Sequence, residues 1–160
     1  TSTAELDPSE RFIVWAFRRW VLGLNQNNGE HWSFVWNEFA RQFGIEDGKA
    51  ALAAFAGLIK NLQCHARRAI RLHQPCCPCL VVDEVALVCF VAACQNSQPH
   101  RARGLAEWLV HPDGAGEMLA AAARLAQIMR KHALNLPHRS RKEAVDTVLK
   151  WPDSAKITIH

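Results

Sequence analysis

Residues 84–95 read EVALVCFVAACQ, and they are the strongest indication of the fold. Its apolar side chains occupy almost every position and do not keep to one face. A helix that is apolar all round is typical of the buried centre of a helical bundle. Asp83, directly before the stretch, is a residue type that often caps a helix N-terminus. The sequence therefore predicts a central helix, the fourth along the chain, from Asp83 to about Gln95.

Further helices around this centre are predicted where apolar residues recur at the spacing of one helix face. Their ranges are about 8–24, 31–43, 47–70, 101–110 and 116–134. Gly44 is expected to end the second of them, because glycine commonly terminates helices. From about residue 135 the pattern weakens, with a short helix expected at 142–150 and strand-like alternation only at 156–159. These patterns predict an all-α fold, a compact bundle of about six helices forming one domain over 1–160 with a less regular tail.

The composition excludes several classes of protein. Hydrophobic residues make up 49% of the chain and charged residues 21%, which is ordinary for a globular domain and argues against disorder. No apolar run reaches the roughly 18 residues that would indicate a membrane span. The six cysteines are too few and too clustered for a secreted disulfide scaffold. We therefore expect a cytoplasmic protein that does not enter a membrane.

The turn before the central helix is rich in cysteine and histidine. Residues 73–79 read HQPCCPC, and they join the predicted third helix to the fourth. Pro75 and Pro78 fix their own backbone angles and restrict the residues before them, so the turn is expected to be stiff. A stiff loop with several thiols suits metal binding, because little ordering entropy is lost when the ligands converge.

Zinc is the metal that this turn favours. Structural zinc takes four tetrahedral ligands from cysteine and histidine. Two of the three clustered thiols are expected to serve, together with His73, and a cysteine on the preceding helix supplies the fourth ligand. The predicted ligands are His73, Cys76, Cys77, Cys79 and Cys64. His65 and Asp83 are rivals to Cys64 for the fourth position.

Other chemistries for the same cysteines remain open. An iron–sulfur cluster held by Cys64, Cys76, Cys77 and Cys79 is a minority alternative, since the spacing fits no common pattern. The turn could also hold plain reduced thiols, or act as a redox switch in which Cys76 or Cys77 pairs with Cys64 on oxidation. The Pro-Cys-x-x-Cys part of the zinc-deaminase signature is present, but its upstream His-x-Glu is missing. The match to zinc deaminases is therefore rejected, and an enzyme is the less favoured interpretation.

A basic stripe lies on the predicted third helix. At helical spacing its residues share one face, which could follow a row of phosphates in a nucleic acid. A solvated outer helix face is the simpler interpretation of the same pattern. The residues of the stripe are Lys60, Arg67, Arg68 and Arg71.

Three functions are compatible with these observations. The leading prediction is a small zinc-stabilised regulatory or adaptor module that acts by binding a protein partner. The first alternative is a nucleic-acid-binding transcriptional regulator that uses the basic helix face. The second alternative is a redox sensor or enzyme that depends on a metal or a thiol.

Overall fold

A computed structural model describes residues 6–138 and 156–159 of the chain. Over these residues the chain is mostly helical, which confirms the all-α class. Two short strands form one antiparallel sheet. The elements are α1 (Pro8–Gln26), α2 (Gly29–His65), β1 (Ile70–His73), α3 (Val82–Gln95), α4 (Pro99–Leu109), α5 (Pro112–Lys131) and β2 (Lys156–Ile159).

The predicted second and third helices form a single element, α2. Gly44 does not end a helix there but lies within α2, where its backbone leaves the helical region at φ 78° and ψ 174°. Only glycine adopts this conformation readily, because a Cβ atom would collide with the backbone. Gly44 therefore kinks α2 into two segments. The described residues contain five helices, and not the predicted six.

The prediction that the third helix runs to residue 70 is wrong. Helix α2 ends at His65, and the chain continues as β1, which pairs with β2 in the register Ile70↔Ile159 and His73↔Lys156. Hydrogen bonds to the end of α4 draw the chain away from a helical path, since the Arg67 amide donates to the Leu109 carbonyl at 3.1 Å. The strand-like alternation at 156–159 is confirmed as β2.

Helix α3 is the buried centre that the sequence predicts. All of its residues are buried except Val82 and Cys94. It begins two residues earlier than predicted, with Val81 and not Asp83 at the N-cap position. The Asp83 side chain is used elsewhere, as described below, because two groups outside the helix bind it.

Close packing joins α2 to its neighbours. Phenylalanine rings form a layer between α1 and α2, with Phe12 and Phe55 each in contact with Phe39 at ring distances of 5.1 and 5.4 Å. Near the other end of α2, a Cβ atom added at Gly114 of α5 would lie 2.6 Å from the His65 side chain. Glycine at position 114 thus allows α5 to approach α2 closely.

In the described ranges no helix is both long and apolar enough to cross a bilayer. The helix predicted at 142–150 lies outside these ranges, and the single-domain organisation stays a prediction.

Candidate functional sites

The cysteine-rich loop is organised by a buried arginine. Arg18 of α1 is only 1% exposed, and its guanidinium reaches into the loop between β1 and α3. It donates to both carboxylate oxygens of Glu84 at 2.7 and 3.0 Å. It also donates to the carbonyls of Cys77 at 2.7 Å, Cys79 at 2.6 Å and Gln74 at 3.3 Å. These bonds match the five N–H donors of a guanidinium.

Glu84 completes this arrangement from the first turn of α3. Its carboxylate is 1% exposed and accepts from the His73 amide at 2.8 Å and the Val81 amide at 3.1 Å. Buried charges are tolerated when they are paired and their remaining hydrogen-bonding capacity is used. The Arg18–Glu84 pair meets both conditions and ties the two ends of the loop to α1.

A second carboxylate fixes the segment before β1. Asp83 is 1% exposed and accepts from the Arg68 guanidinium at 2.5 and 3.0 Å and from the Arg71 amide at 2.7 Å. The hydrogen bonds to Asp83 raise the pKa of the Arg68 guanidinium. That guanidinium also lies over the Trp108 ring, 4.6 Å from the centroid. The Asp83 carboxylate therefore accepts hydrogen bonds both from a backbone amide and from an arginine side chain.

The structure distributes the predicted metal ligands over different surroundings. His73 is buried in β1, whereas Cys76 and Cys64 are exposed. Cys77 and Cys79 are half-buried, and their side chains hydrogen-bond to each other. Desolvation raises the pKa of the Cys79 thiol, and the hydrogen bond to Cys77 acts in the same direction.

Of the predicted metal ligands, Cys77 and Cys79 are the two that the structure brings into contact. Within the part of the chain that the structure describes, no three histidine, cysteine, aspartate or glutamate side chains form a group that could hold a metal ion. Zinc at this loop, and the iron–sulfur alternative, stay predictions.

The basic residues do not share one helix face. Lys60 lies in α2, but α2 ends at His65, so Arg67 and Arg68 follow the helix and Arg71 lies in β1. The Arg67 side chain donates to the Glu107 carbonyl at 2.5 Å, and Arg68 is held by Asp83. The prediction of a phosphate-binding row depended on these residues sharing one helix face, and the structure does not place them on one face. Anion binding by these residues stays a prediction.

An apolar groove lies between α1 and α2. Its volume is about 430 Å³, and its lining is almost entirely apolar. The lining residues are Trp20, Trp36, Lys49, Leu52, Ala53 and Ala56. Trp36 and Lys49 lie on opposite sides of the Gly44 kink, so the kink sets the shape of the groove.

The groove continues along an exposed face of α2. Ile45, Lys49, Ala53, Ala56 and Lys60 follow one another at intervals of three or four residues, so they share one side of the helix. Ile45 is 64% exposed, which is unusual for a large apolar side chain. Both lysines are exposed. The face is therefore apolar along its length with a positive charge near each end.

Comparison with protein-family models, with curated proteins and with solved structures gave no match. The loop that Arg18 binds and the groove between α1 and α2 are therefore the two features from which a function can be proposed.

Proposed function

We propose that this chain is a regulatory or adaptor module that binds a helix of a partner protein in the groove between α1 and α2. The observation that supports the proposal is the groove itself, which is lined by Trp20 and Trp36 together with small side chains. Tryptophan is the residue most enriched among those that dominate binding energy at interfaces. An amphipathic helix placed in an apolar groove is a recurrent mode of recognition.

The shape of the groove favours a helix as its occupant. Ala53 and Ala56 lie one turn apart, and such small side chains allow the backbone of another helix to approach closely. Both helices line the groove, with Trp20 from α1 and the other lining residues from α2. A helical segment of two or three turns would place apolar side chains between the two indoles.

The charges favour an acidic partner helix. Lys49 lines the groove, and Lys60 lies eleven residues further along the same face. Over the described residues neither lysine takes part in a salt bridge. Acidic side chains about three turns apart on the partner could pair with both. Such pairs at the rim of an interface contribute mainly to specificity and association rate.

A display library tests this proposal. The probe is a library of peptides of roughly 18 residues, patterned as amphipathic helices with varied acidic and basic positions. Selection on the full chain is followed by fluorescence anisotropy with the enriched peptides. We expect enriched peptides to carry acidic residues and to bind with micromolar affinity, about −8 kcal/mol.

Three variants identify the surface that the peptides use. Ala53→Glu places a charged side chain in the groove and is expected to weaken binding at least about tenfold, or 1.4 kcal/mol. Ala120→Glu is the matched control, since Ala120 is an exposed alanine on α5 outside the groove. Lys49→Glu should shift the preference toward basic peptides. Absence of enrichment, or equal binding by the Ala53→Glu variant and its control, would refute the proposal.

A further inference from the structure

The geometry points to a second site in the loop: we infer that Cys77 and Cys79 form a reversible disulfide with each other, using a small disulfide molecule as oxidant. The two thiols are in hydrogen-bond contact in the reduced chain. They lie on one loop and are separated by Pro78 alone. Nothing in this inference depends on the groove between α1 and α2.

The backbone of the loop holds the pair in position. The carbonyls of Cys77 and Cys79 both accept from the Arg18 guanidinium, at 2.7 and 2.6 Å. Because both carbonyls converge on one planar group, the two residues are held in a fixed relative orientation. Pro78 between them has a fixed φ angle. Closing the bond therefore orders little chain that is not already ordered.

The distance requirement of a disulfide is compatible with this spacing. A disulfide joins residues whose Cα atoms lie about 4.4–6.8 Å apart. Residues two apart along a bent chain lie roughly 5.5–7 Å apart, given about 3.8 Å between consecutive Cα atoms. The contact between the Cys77 and Cys79 side chains shows that their thiols already point toward each other.

Access and reactivity favour these thiols over the cysteines of the core. Cys77 and Cys79 are half-buried, so an oxidant can reach them. Cys89 is buried in α3. Burial also raises the pKa of Cys94 on the same helix to about 11, which keeps that thiol protonated at neutral pH. Cys64 and Cys76 are exposed as well, so what distinguishes Cys77 and Cys79 is that each has a neighbouring thiol with which to close a disulfide.

The reaction balances with glutathione disulfide as the oxidant. One loop thiolate attacks a sulfur of the oxidant, which forms a mixed disulfide and releases one glutathione thiolate. The second loop thiolate then attacks the protein sulfur of the mixed disulfide and releases the other glutathione. The protein loses two protons and two electrons, and one glutathione disulfide becomes two glutathione molecules.

The rival pairing joins Cys76 to Cys79. This is the Cys-x-x-Cys spacing, which is the common one for redox pairs. In the described structure the partner of the Cys79 thiol is Cys77, whereas Cys76 is exposed. Single cysteine-to-serine variants distinguish the two pairings, because only one of them needs Cys76.

The experiment uses the full chain and defined glutathione mixtures. Reduced protein is equilibrated without oxygen across a range of ratios of oxidised to reduced glutathione, then alkylated in denaturant and weighed as an intact protein. We expect two of the six thiols to become protected together, with a mass loss of about 2 Da before alkylation. Cys76→Ser should keep this behaviour. Cys77→Ser and Cys79→Ser should each lose it and accumulate a glutathione adduct, because the second thiolate is missing.

Three results would overturn the inference. The first is loss of the disulfide in Cys76→Ser with retention in Cys77→Ser, which would assign the rival pair. The second is a wild-type chain that carries only glutathione adducts at every ratio. The third is about one zinc per chain that is lost in Cys79→Ser and protects both thiols, which would assign the loop to a metal. Far-UV circular dichroism of each variant shows that the helices are intact.

Discussion

Replacing Arg18 by methionine tests whether the buried ion pair holds the loop. The substitution keeps most of the side-chain volume and removes the guanidinium that donates to Glu84, Cys77 and Cys79. The Glu84 carboxylate would then stay buried with only its two backbone donors. Removing one partner of a buried pair destabilises proteins by about 3–5 kcal/mol. The carbonyls of the loop lose their donor as well, although water can replace it where the loop is exposed.

Urea denaturation followed by circular dichroism measures this loss. We expect Arg18→Met to lower the free energy of unfolding by about 3–5 kcal/mol, a large share of the 5–15 kcal/mol typical of a domain. Arg103→Met is the matched control, since Arg103 forms an exposed ion pair with Glu107 at 3.2 Å. Pairs of that kind contribute about 0–1 kcal/mol.

The two substitutions must differ for the reasoning to hold. A loss below about 1 kcal/mol for Arg18→Met, equal to that of the control, would show that the loop is fixed by other contacts. Glu84→Gln extends the test, because glutamine keeps the side-chain shape and removes the charge. We expect it to cost less than Arg18→Met, since Arg18 would keep the backbone carbonyls as acceptors.

Three further predictions concern the kink, the core and the thiols. Gly44→Ala should lower the free energy of unfolding by about 1–3 kcal/mol, whereas Gly57→Ala in a helical, open part of α2 should raise it by up to about 1 kcal/mol. If urea denaturation shows that both variants change the free energy of unfolding in the same direction, the account of the kink is contradicted. Asn61 is buried in α2 and its amide has no partner among the described residues, so Asn61→Leu should raise the thermal midpoint, and a fall would show that the amide is satisfied. Burial raises the pKa of Cys94 to about 11, so its alkylation near pH 8 should be roughly a hundredfold slower than that of a free thiol. Mass spectrometry measures this rate, with Cys94→Ala as the reference. A rate near the free-thiol value would refute the prediction. The same shift means that the contribution of Cys94 to stability is complete below about pH 9 and is lost as the pH rises toward 11.

The helical class and the central helix could be predicted because they depend on local patterns. An almost unbroken apolar run can be accommodated only in the centre, and α3 is buried accordingly. Strand β1 could not be predicted in this way. It is only four residues long, and its partner β2 lies far away in the sequence. Such a strand depends on a tertiary contact that periodicity does not report.

The candidate sites were predictable only in part. The cysteine content of the loop is visible in the sequence, but the role of Arg18 is not. Its acceptors at positions 77 and 79 are backbone carbonyls, which have no signature in a sequence. The role of Glu84 was not visible either, because acidic residues are common at helix N-termini whatever contacts they make. The groove could not be located from the sequence, because the same helical spacing marks a core face and the lining of a groove.

The hold of Arg18 on the loop passes through main-chain oxygen atoms, which every amino acid carries. Side chains at positions 77 and 79 can therefore be exchanged over evolutionary time while the anchor persists. Serine or alanine would serve the fold there as well as cysteine does. Descendants of this chain that keep their thiols would thus record selection for the reactivity of sulfur, separately from selection for folding.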